Sequence, residues 1–142
     1  MNKENSIEDY FCKQFIKSCY QDRFFFELSS NKKRVKAISR ICHDMMDIID
    51  EDKIVEVYNS AGIIHHLTDR LHELSKEKEG YCIGFFELDQ KWVDISEAIN
   101  AGIQSNFGFA IVLSDGIACI CEETCISQRK AVILHSISEL KE

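Results

Sequence analysis

The hydrophobic pattern of this chain changes at Gly80, and that change limits the folds the chain can adopt. Before Gly80, apolar residues recur every three or four positions, which is the spacing of amphipathic helices. After Gly80, short runs rich in Phe, Ile and Val are bounded by Gly, Asp and Ser, a pattern typical of strands and turns. The sequence therefore predicts an α+β domain, in which a helical N-terminal layer packs on a small antiparallel sheet from the C-terminal half.

The length and the absence of proline favour one domain. A chain of 142 residues is within the usual range for a single domain, and no proline-rich linker divides it. We expect residues 1–142 to form one globular unit, with 1–79 mainly helical and 80–142 mainly strands with one short helix.

Helix start signals divide the first half. Ser6 can cap a helix that we expect to end near Arg23, and Asn31 can cap a second helix whose apolar face continues to Ile49. The pattern between residues 52 and 79 predicts two helices or one kinked helix. Residues 53–58 also favour a strand, because Val55 and Val57 are β-branched, but we assign them to helix.

Strand and turn signals divide the second half. We expect an antiparallel hairpin around the turn at residues 114–116. The tail at residues 130–140 favours either a strand or a closing amphipathic helix, and we assign the strand, followed by an end that frays. The predicted elements are a strand at Tyr81–Leu88, a helix from Asp94 or Ser96 to Gln104, and strands at Phe107–Leu113, Ile117–Cys121 and Ala131–His135.

The charge is negative and unevenly distributed. The net charge is −7, of which −2 lies in residues 1–80 and −5 in residues 81–142. Such a protein repels phosphate backbones, so we expect no direct nucleic-acid binding and instead a protein partner with a basic surface. The sequence contains no apolar segment long enough for a signal peptide or a membrane span, so we expect a cytoplasmic protein that does not associate with membranes.

Carboxylates around the predicted strand ends are the candidate partner-binding residues. The chain's one Trp lies among them, and aromatic residues are frequent interface anchors, although a Trp here can equally pin a loop to the core. The candidate set is Glu87, Asp89, Trp92, Asp94, Glu97, Asp115, Glu122 and Glu123.

A basic block at residues 32–40 runs directly into an acidic block at residues 44–52. Lys32, Lys33 and Lys36 are most simply the solvated side of an amphipathic helix. The acidic residues 50–52 are best explained as the start of the following helix, where the dipole favours carboxylates. Only Asp44 and Asp47 would then lie in an unfavourable last turn.

Cysteines and histidines offer a metal or catalytic alternative. Cys119 and Cys121 share one face of a strand and Cys125 follows, but paired C-x-x-C knuckles are lacking, so we expect buried apolar thiols and no metal. His65 and His72 are two helical turns apart, about 10.5 Å along the axis, too far to share one ion. With His66, they are expected to be solvated or capping residues.

No catalytic motif is recognisable in the sequence. It contains no nucleophile elbow, phosphate-binding loop or dinucleotide fingerprint. We therefore predict a protein that is not an enzyme, without catalytic residues or cofactors. A small enzyme that depends on a Cys–His pair remains an alternative, because such pairs meet in space and cannot be located from one sequence.

In its size, acidic charge and lack of motif, the whole chain resembles bacterial toxin-immunity proteins, including those of contact-dependent growth inhibition systems. The resemblance implies a protein that neutralises a cognate toxin, often a nuclease, by covering its active site. The alternative binding class is the type III secretion chaperone, which is also small, acidic and α+β. The sequence does not decide between a monomer and a dimer.

Overall fold

Helices and an antiparallel sheet make up the chain, so the predicted α+β class is confirmed. A computed structural model describes residues 3–58, 63–105, 108–122 and 130–136. The helices are α1 (Lys3–Phe15), α2 (Gln21–Leu28), α3 (Arg34–His43), α4 (Met45–Ile48), α5 (Ile63–Leu74) and α6 (Ile95–Ser105). The strands are β1 (Ile54–Tyr58), β2 (Glu79–Gly84), β3 (Trp92–Asp94), β4 (Phe109–Val112), β5 (Ile117–Cys121) and β6 (Ala131–His135).

The six strands form one sheet in the order β1-β6-β5-β4-β2-β3, with every neighbouring pair antiparallel. The central strands β4, β5 and β6 are buried almost throughout and consist of Ile, Val, Ala, Cys and Phe. Such apolar composition on both faces indicates a sheet that is covered on both sides. The edge strands are β1, which contains a register irregularity, and the three-residue β3.

Helices cover both faces of the sheet. Because successive strand side chains point to opposite faces, each central strand supplies residues to two hydrophobic clusters. On one face Tyr81, Ala110 and Ile120 join the core residues of α1 to α4. On the other face Cys82, Ile111 and Cys119 pack beneath α5 and α6. The helical N-terminal layer was predicted, whereas the sequence pattern did not indicate the second helical layer.

The predicted end of the first helix near Arg23 is wrong, because α1 ends at Phe15. Ile16 instead forms an isolated antiparallel bridge with Ile49. The side-chain Nε2 of Gln21 donates to the backbone carbonyl oxygens of Lys13 and Ile16, at 3.2 and 3.0 Å. These bonds satisfy acceptors that the helix end leaves open, so the chain turns here and begins again as α2.

The predicted second helix is interrupted at Asp44, and α3 is followed by the short helix α4. Asp47 therefore lies in the four-residue helix α4, and Asp44 is the residue between the two helices. The expectation of one long helix with both aspartates in its last turns is wrong, although Asp44 still lies at the C-terminal end of α3. Residues 51–53 form a 3-10 turn capped by the Asp50 carboxylate, which accepts from the Asp52 amide at 3.1 Å, and not the start of an α-helix.

Residues 54–58 form β1 and not the helix that we assigned to 53–58. Pairing with β6 satisfies the backbone of this segment, and its β-branched residues suit a pleated surface. A sheet otherwise built from the C-terminal half thus gains an edge strand from the first half.

Most of the remaining predictions are confirmed, with changed bounds. α5, α6, the β4–β5 hairpin and β6 all form, while β2 ends at Gly84 and a 3-10 turn follows at Phe86–Leu88. The strand β3 was not predicted and had been treated as a connection. The fraying end after residue 136 lies outside the described residues.

Gly102 allows α6 to approach an aromatic stack in the second cluster. The rings of Phe85 and Phe109 stack with centroids 4.6 Å apart. A Cβ added at Gly102 would lie 2.4 Å from the Phe109 ring and 2.6 Å from the Phe85 ring. Helix α6 can therefore occupy this position only if residue 102 has no side chain.

Gly102→Ala is expected to destabilise the protein by about 1–3 kcal/mol through overpacking, although Ala is the better helix former. Urea unfolding measures the change. Asn100→Ala, at an exposed position of the same helix, is the matched control and is expected to be neutral or stabilising. Equal stabilisation of both variants would contradict the packing described here.

Candidate protein-binding surface

Three exposed carboxylates lie together where β2 begins and β3 ends. Glu79 is paired in register with Asp94 on the neighbouring strand, and both are exposed. The Asp94 carboxylate accepts from the backbone amide of Glu97 at 3.2 Å and so caps α6. This cap holds the exposed Glu97 beside the strand pair.

Two further carboxylates, Glu77 and Asp115, lie at the same end of the sheet. The end of β4 is close to this end, because Tyr81 pairs with Trp92 on β3 and with Val112 at the end of β4. After β4, the Ser114 hydroxyl donates to Glu77 at 2.7 Å. The Asp115 carboxylate accepts from the hydroxyl of Ser75 at 2.8 Å and from the amide of Lys76 at 3.3 Å. We call Glu77, Glu79, Asp94, Glu97 and Asp115 the acidic sheet end.

The acidic sheet end has few counter-charges. Its five carboxylates make no ion pair within the part of the chain that the structure describes. The neighbouring cations are the exposed Lys76 and Lys78. Carboxylates in this arrangement produce a locally negative surface, which attracts cationic groups.

The predicted candidate residues do not form one group. Asp94, Glu97 and Asp115 belong to the acidic sheet end, whereas the exposed Glu87 lies in the β2–β3 connection. Glu122 lies at the opposite end of the sheet, where it accepts from the Lys130 amide at 3.2 Å. Glu123 lies outside the described residues.

Trp92 has a packing role at the sheet edge. It is half-buried, and its ring meets that of Tyr81 edge-on with centroids 5.6 Å apart. It also contacts the first hydrophobic cluster. Trp92 therefore pins the edge strand to the core, while its uncovered part borders the surface around β3.

The Asp89 carboxylate is bonded within the protein, in a charge network centred on Arg34. The Arg34 guanidinium donates to both oxygens of Asp89 at 2.6 and 2.8 Å. It also donates to both oxygens of Glu8, at 2.7 Å each, and to the backbone carbonyl of Leu28 at 2.8 Å. A guanidinium has five N–H donors, so all are used.

The two carboxylates of this network are themselves bonded further. The Tyr81 hydroxyl donates to Glu8 at 2.7 Å, and the Gly84 amide donates to Asp89 at 2.8 Å. Burial alone would lower the pKa of Arg34, but hydrogen bonds to Asp89 and Glu8 outweigh it and raise that pKa. Burial and then the bond to Glu8 raise the pKa of Tyr81. Arg34 is therefore charged and the Tyr81 hydroxyl is protonated in this network.

The cysteine candidates are buried in the second cluster. Cys119 and Cys121 lie on one face of β5 beneath α5 and α6, and Cys125 lies outside the described residues. Burial raises the pKa of Cys82 to about 12, so its thiol is protonated at neutral pH and is a poor nucleophile. Within the described ranges, no group of three His, Cys, Asp or Glu residues could hold a metal ion.

The histidine candidates are spread along α5. His66 is exposed, and His72 Nε2 lies 3.5 Å from the Ser96 hydroxyl. The His65 side chain lies outside the part that the structure describes. The lysines of the basic block, Lys32, Lys33 and Lys36, are exposed, as the amphipathic pattern of α3 predicts.

Sequence reasoning missed Glu77 and Glu79, and it missed the partners of Asp89. The two glutamates alternate with lysines just before β2, so the segment looks like a mixed-charge turn. Only the register with β3 places Glu79 opposite Asp94. The Glu8–Arg34 contact spans 26 positions, and no local pattern indicates it.

Comparison with known proteins does not indicate a function for this surface. No family model, curated protein or solved structure matches the chain. Among the helices in the described residues, none has the length and apolar composition needed to cross a membrane.

Arg34→Met is expected to destabilise the protein by about 3–5 kcal/mol, because it leaves the buried Glu8 and the partly buried Asp89 without their counter-charge. Arg23→Met is the matched control, since Arg23 makes only an exposed pair with Glu27, worth at most about 1 kcal/mol. Urea unfolding compares the two variants. A loss in Arg34→Met no larger than in the control would contradict the network's role.

Stability is expected to fall as the pH rises above 9, because burial raises the pKa of Cys12 and Cys82 from 9.0 to about 12. The unfolded chain then loses protons that the folded protein retains. Each thiol contributes up to about 1.4 kcal/mol per pH unit. Urea unfolding between pH 8 and 11 should show a shallower decline for Cys82→Ala than for the wild type. Cys19→Ala, which removes an exposed thiol, should retain the wild-type decline.

Proposed function

We propose that this protein is an immunity-type inhibitor, which binds a cognate toxin and covers its basic active-site surface with the acidic sheet end. The toxin expected from this chemistry is a nuclease, because nucleases hold phosphate groups with Lys and Arg side chains. Carboxylates can occupy the same cations and so compete with the nucleic acid.

The in-register pair of Glu79 and Asp94 is the observation that carries the proposal. Like charges directly opposite each other on neighbouring strands destabilise a sheet. Neither carboxylate has an ion-pair partner in the described residues, and the adjacent Glu97 adds a third negative charge. The Asp94 carboxylate also caps α6, so only the repulsion between the like charges is unfavourable, and a bound cationic surface would relieve that repulsion.

The position of the pair favours access by a large partner. Strand β3 is at the edge of the sheet, so on that side no further strand among the described residues covers it. Trp92, which is half-buried, lies on the same edge strand. Interfaces of this kind combine a partly buried aromatic side chain with charged residues that steer the encounter.

The buried network contributes to the proposed surface without touching the partner. The Asp89 carboxylate holds the β2–β3 connection through Arg34 and the Gly84 amide. This connection leads directly into β3, so the edge strand is positioned before binding. A preorganised surface loses less conformational entropy on binding than a flexible one.

A charge reversal tests the proposal against the purified toxin domain encoded by the neighbouring gene. The wild type should bind this domain and abolish its activity. Glu79→Lys with Asp94→Lys should slow association at least about tenfold, because electrostatic steering raises association rates by one to three orders of magnitude. Surface plasmon resonance measures the rate, and a toxin activity assay measures inhibition.

Asp22→Lys is the matched control for this experiment, since Asp22 is an exposed carboxylate on α2, outside the acidic sheet end. It should associate at nearly the wild-type rate. The proposal fails if the wild type neither binds nor inhibits the toxin. It also fails if the control slows association as much as the double reversal.

A further inference from the structure

A second surface, on α2 and the start of α3, has the opposite chemistry. Phe26 is 62% exposed, the most exposed large hydrophobic side chain among the described residues. The Lys33 ammonium lies over its ring, 5.1 Å from the centroid. An exposed aromatic ring beside a cation offers an apolar face and a positive charge at one place.

Lys32 and Lys36 extend the positive charge next to Lys33. Lys32 and Lys33 precede α3 and Lys36 is in its first turn, so the three are neighbours along one side of the helix start. All three are exposed, and none makes an ion pair in the ranges described. We call Phe26, Lys32, Lys33 and Lys36 the basic–aromatic patch.

The contact between Lys33 and Phe26 stabilises the free protein, but it does not account for Lys32 and Lys36. The start of a helix carries the positive end of its dipole, so three lysines there are unfavourable, and the first turn of α3 contains no acidic residue. The neighbouring pair of Phe24 and Arg40 shows the ordinary internal arrangement. Phe24 is buried, and Arg40, 5.2 Å from its ring centroid, also pairs with Glu27 at 3.7 Å.

We propose that the basic–aromatic patch docks an acidic protein segment carrying an apolar side chain, which packs on Phe26 while its carboxylates meet the lysines. The surface is separate from the acidic sheet end, so the proposal does not depend on toxin neutralisation. It gives the protein two docking surfaces of opposite charge.

Charge complementarity favours a short acidic segment over a long polyanion or a membrane. The whole chain has a net charge of −7, and the patch is a local exception. A nucleic acid or an anionic bilayer extends well beyond the Debye length of about 8 Å at physiological salt, so it would also meet the repelling remainder of the protein. A segment of patch size meets mainly the lysines and Phe26.

A labelled synthetic peptide, in which glutamates alternate with a few phenylalanines, is the probe. Fluorescence anisotropy with the intact protein should show binding that weakens as salt shortens the Debye length from about 30 to about 8 Å. A peptide with serine in place of phenylalanine should bind at least about tenfold more weakly, the effect of losing one hot-spot contact.

Variants of the protein test whether the peptide binds at the basic–aromatic patch. Lys33→Glu and Phe26→Ser should each weaken peptide binding at least about tenfold. Lys76→Glu, which makes the same charge reversal at an exposed lysine after α5, should bind within about twofold of the wild type, as surface charges outside the contact have little effect. Circular dichroism and urea unfolding verify that every variant is folded.

Four results of the binding experiments would overturn the proposal. They are no peptide binding at low salt, equal binding of the serine peptide, equal weakening by Lys76→Glu, and tighter binding of a labelled single-stranded oligonucleotide or anionic vesicle that Lys33→Glu abolishes. If light scattering shows that the chain alone self-associates at low salt and that Lys33→Glu prevents it, the occupant is a second copy. That result also contradicts the proposal.

Discussion

The Arg34 guanidinium is the interaction on which the arrangement of the two halves depends. A buried ion pair stabilises a protein only when its remaining donors and acceptors are satisfied, and here all five N–H groups have acceptors. The bonds join α1, the end of α2, the start of α3 and the β2–β3 connection. That connection includes Phe85 and Gln90 at positive φ, 69° and 66°, which is unfavourable backbone for residues other than glycine. The network and the Phe85–Phe109 stack hold the connection in this conformation, and β3 follows from it.

Charged side chains are bonded to one another inside the protein, whereas at two places on its surface they are grouped by sign. Inside the protein, Glu8 and Asp89 both bond to Arg34, whose positive charge offsets one of their two negative charges. At the end of the sheet, Glu79 and Asp94 face each other without an ion-pair partner among the described residues, and Lys32, Lys33 and Lys36 likewise make no ion pair there. The charged groups of the core are thus bonded to one another, whereas these two surface groups are not. This contrast underlies the proposals of a basic partner at the sheet end and an acidic one at the basic–aromatic patch.

The sequence predicted those parts of the fold that follow from local patterns. Helices α5 and α6, the hairpin and the α+β class all follow from periodicity, caps and turn residues. The pattern did not distinguish helix from strand at Ile54–Tyr58, because pairing with β6, more than 70 positions away, decides it. The break after Phe15 depends on a side-chain bond from Gln21. For the candidate surface, the acidic composition predicted Asp94, Glu97 and Asp115. Glu79 could be recognised only from the strand register. The internal role of Asp89 could be recognised only from its contact with Arg34.

The central claim is that a basic partner binds the acidic sheet end. Backbone amide chemical shifts of the labelled protein, recorded as the purified product of the neighbouring gene, the proposed toxin, is added, test it residue by residue. The account predicts that the largest changes occur in residues 77–79, 92–97 and 114–115, with small changes along α2 and the start of α3. Changes confined to other surfaces, with residues 77–79 and 92–97 unaffected by the bound toxin, would contradict it.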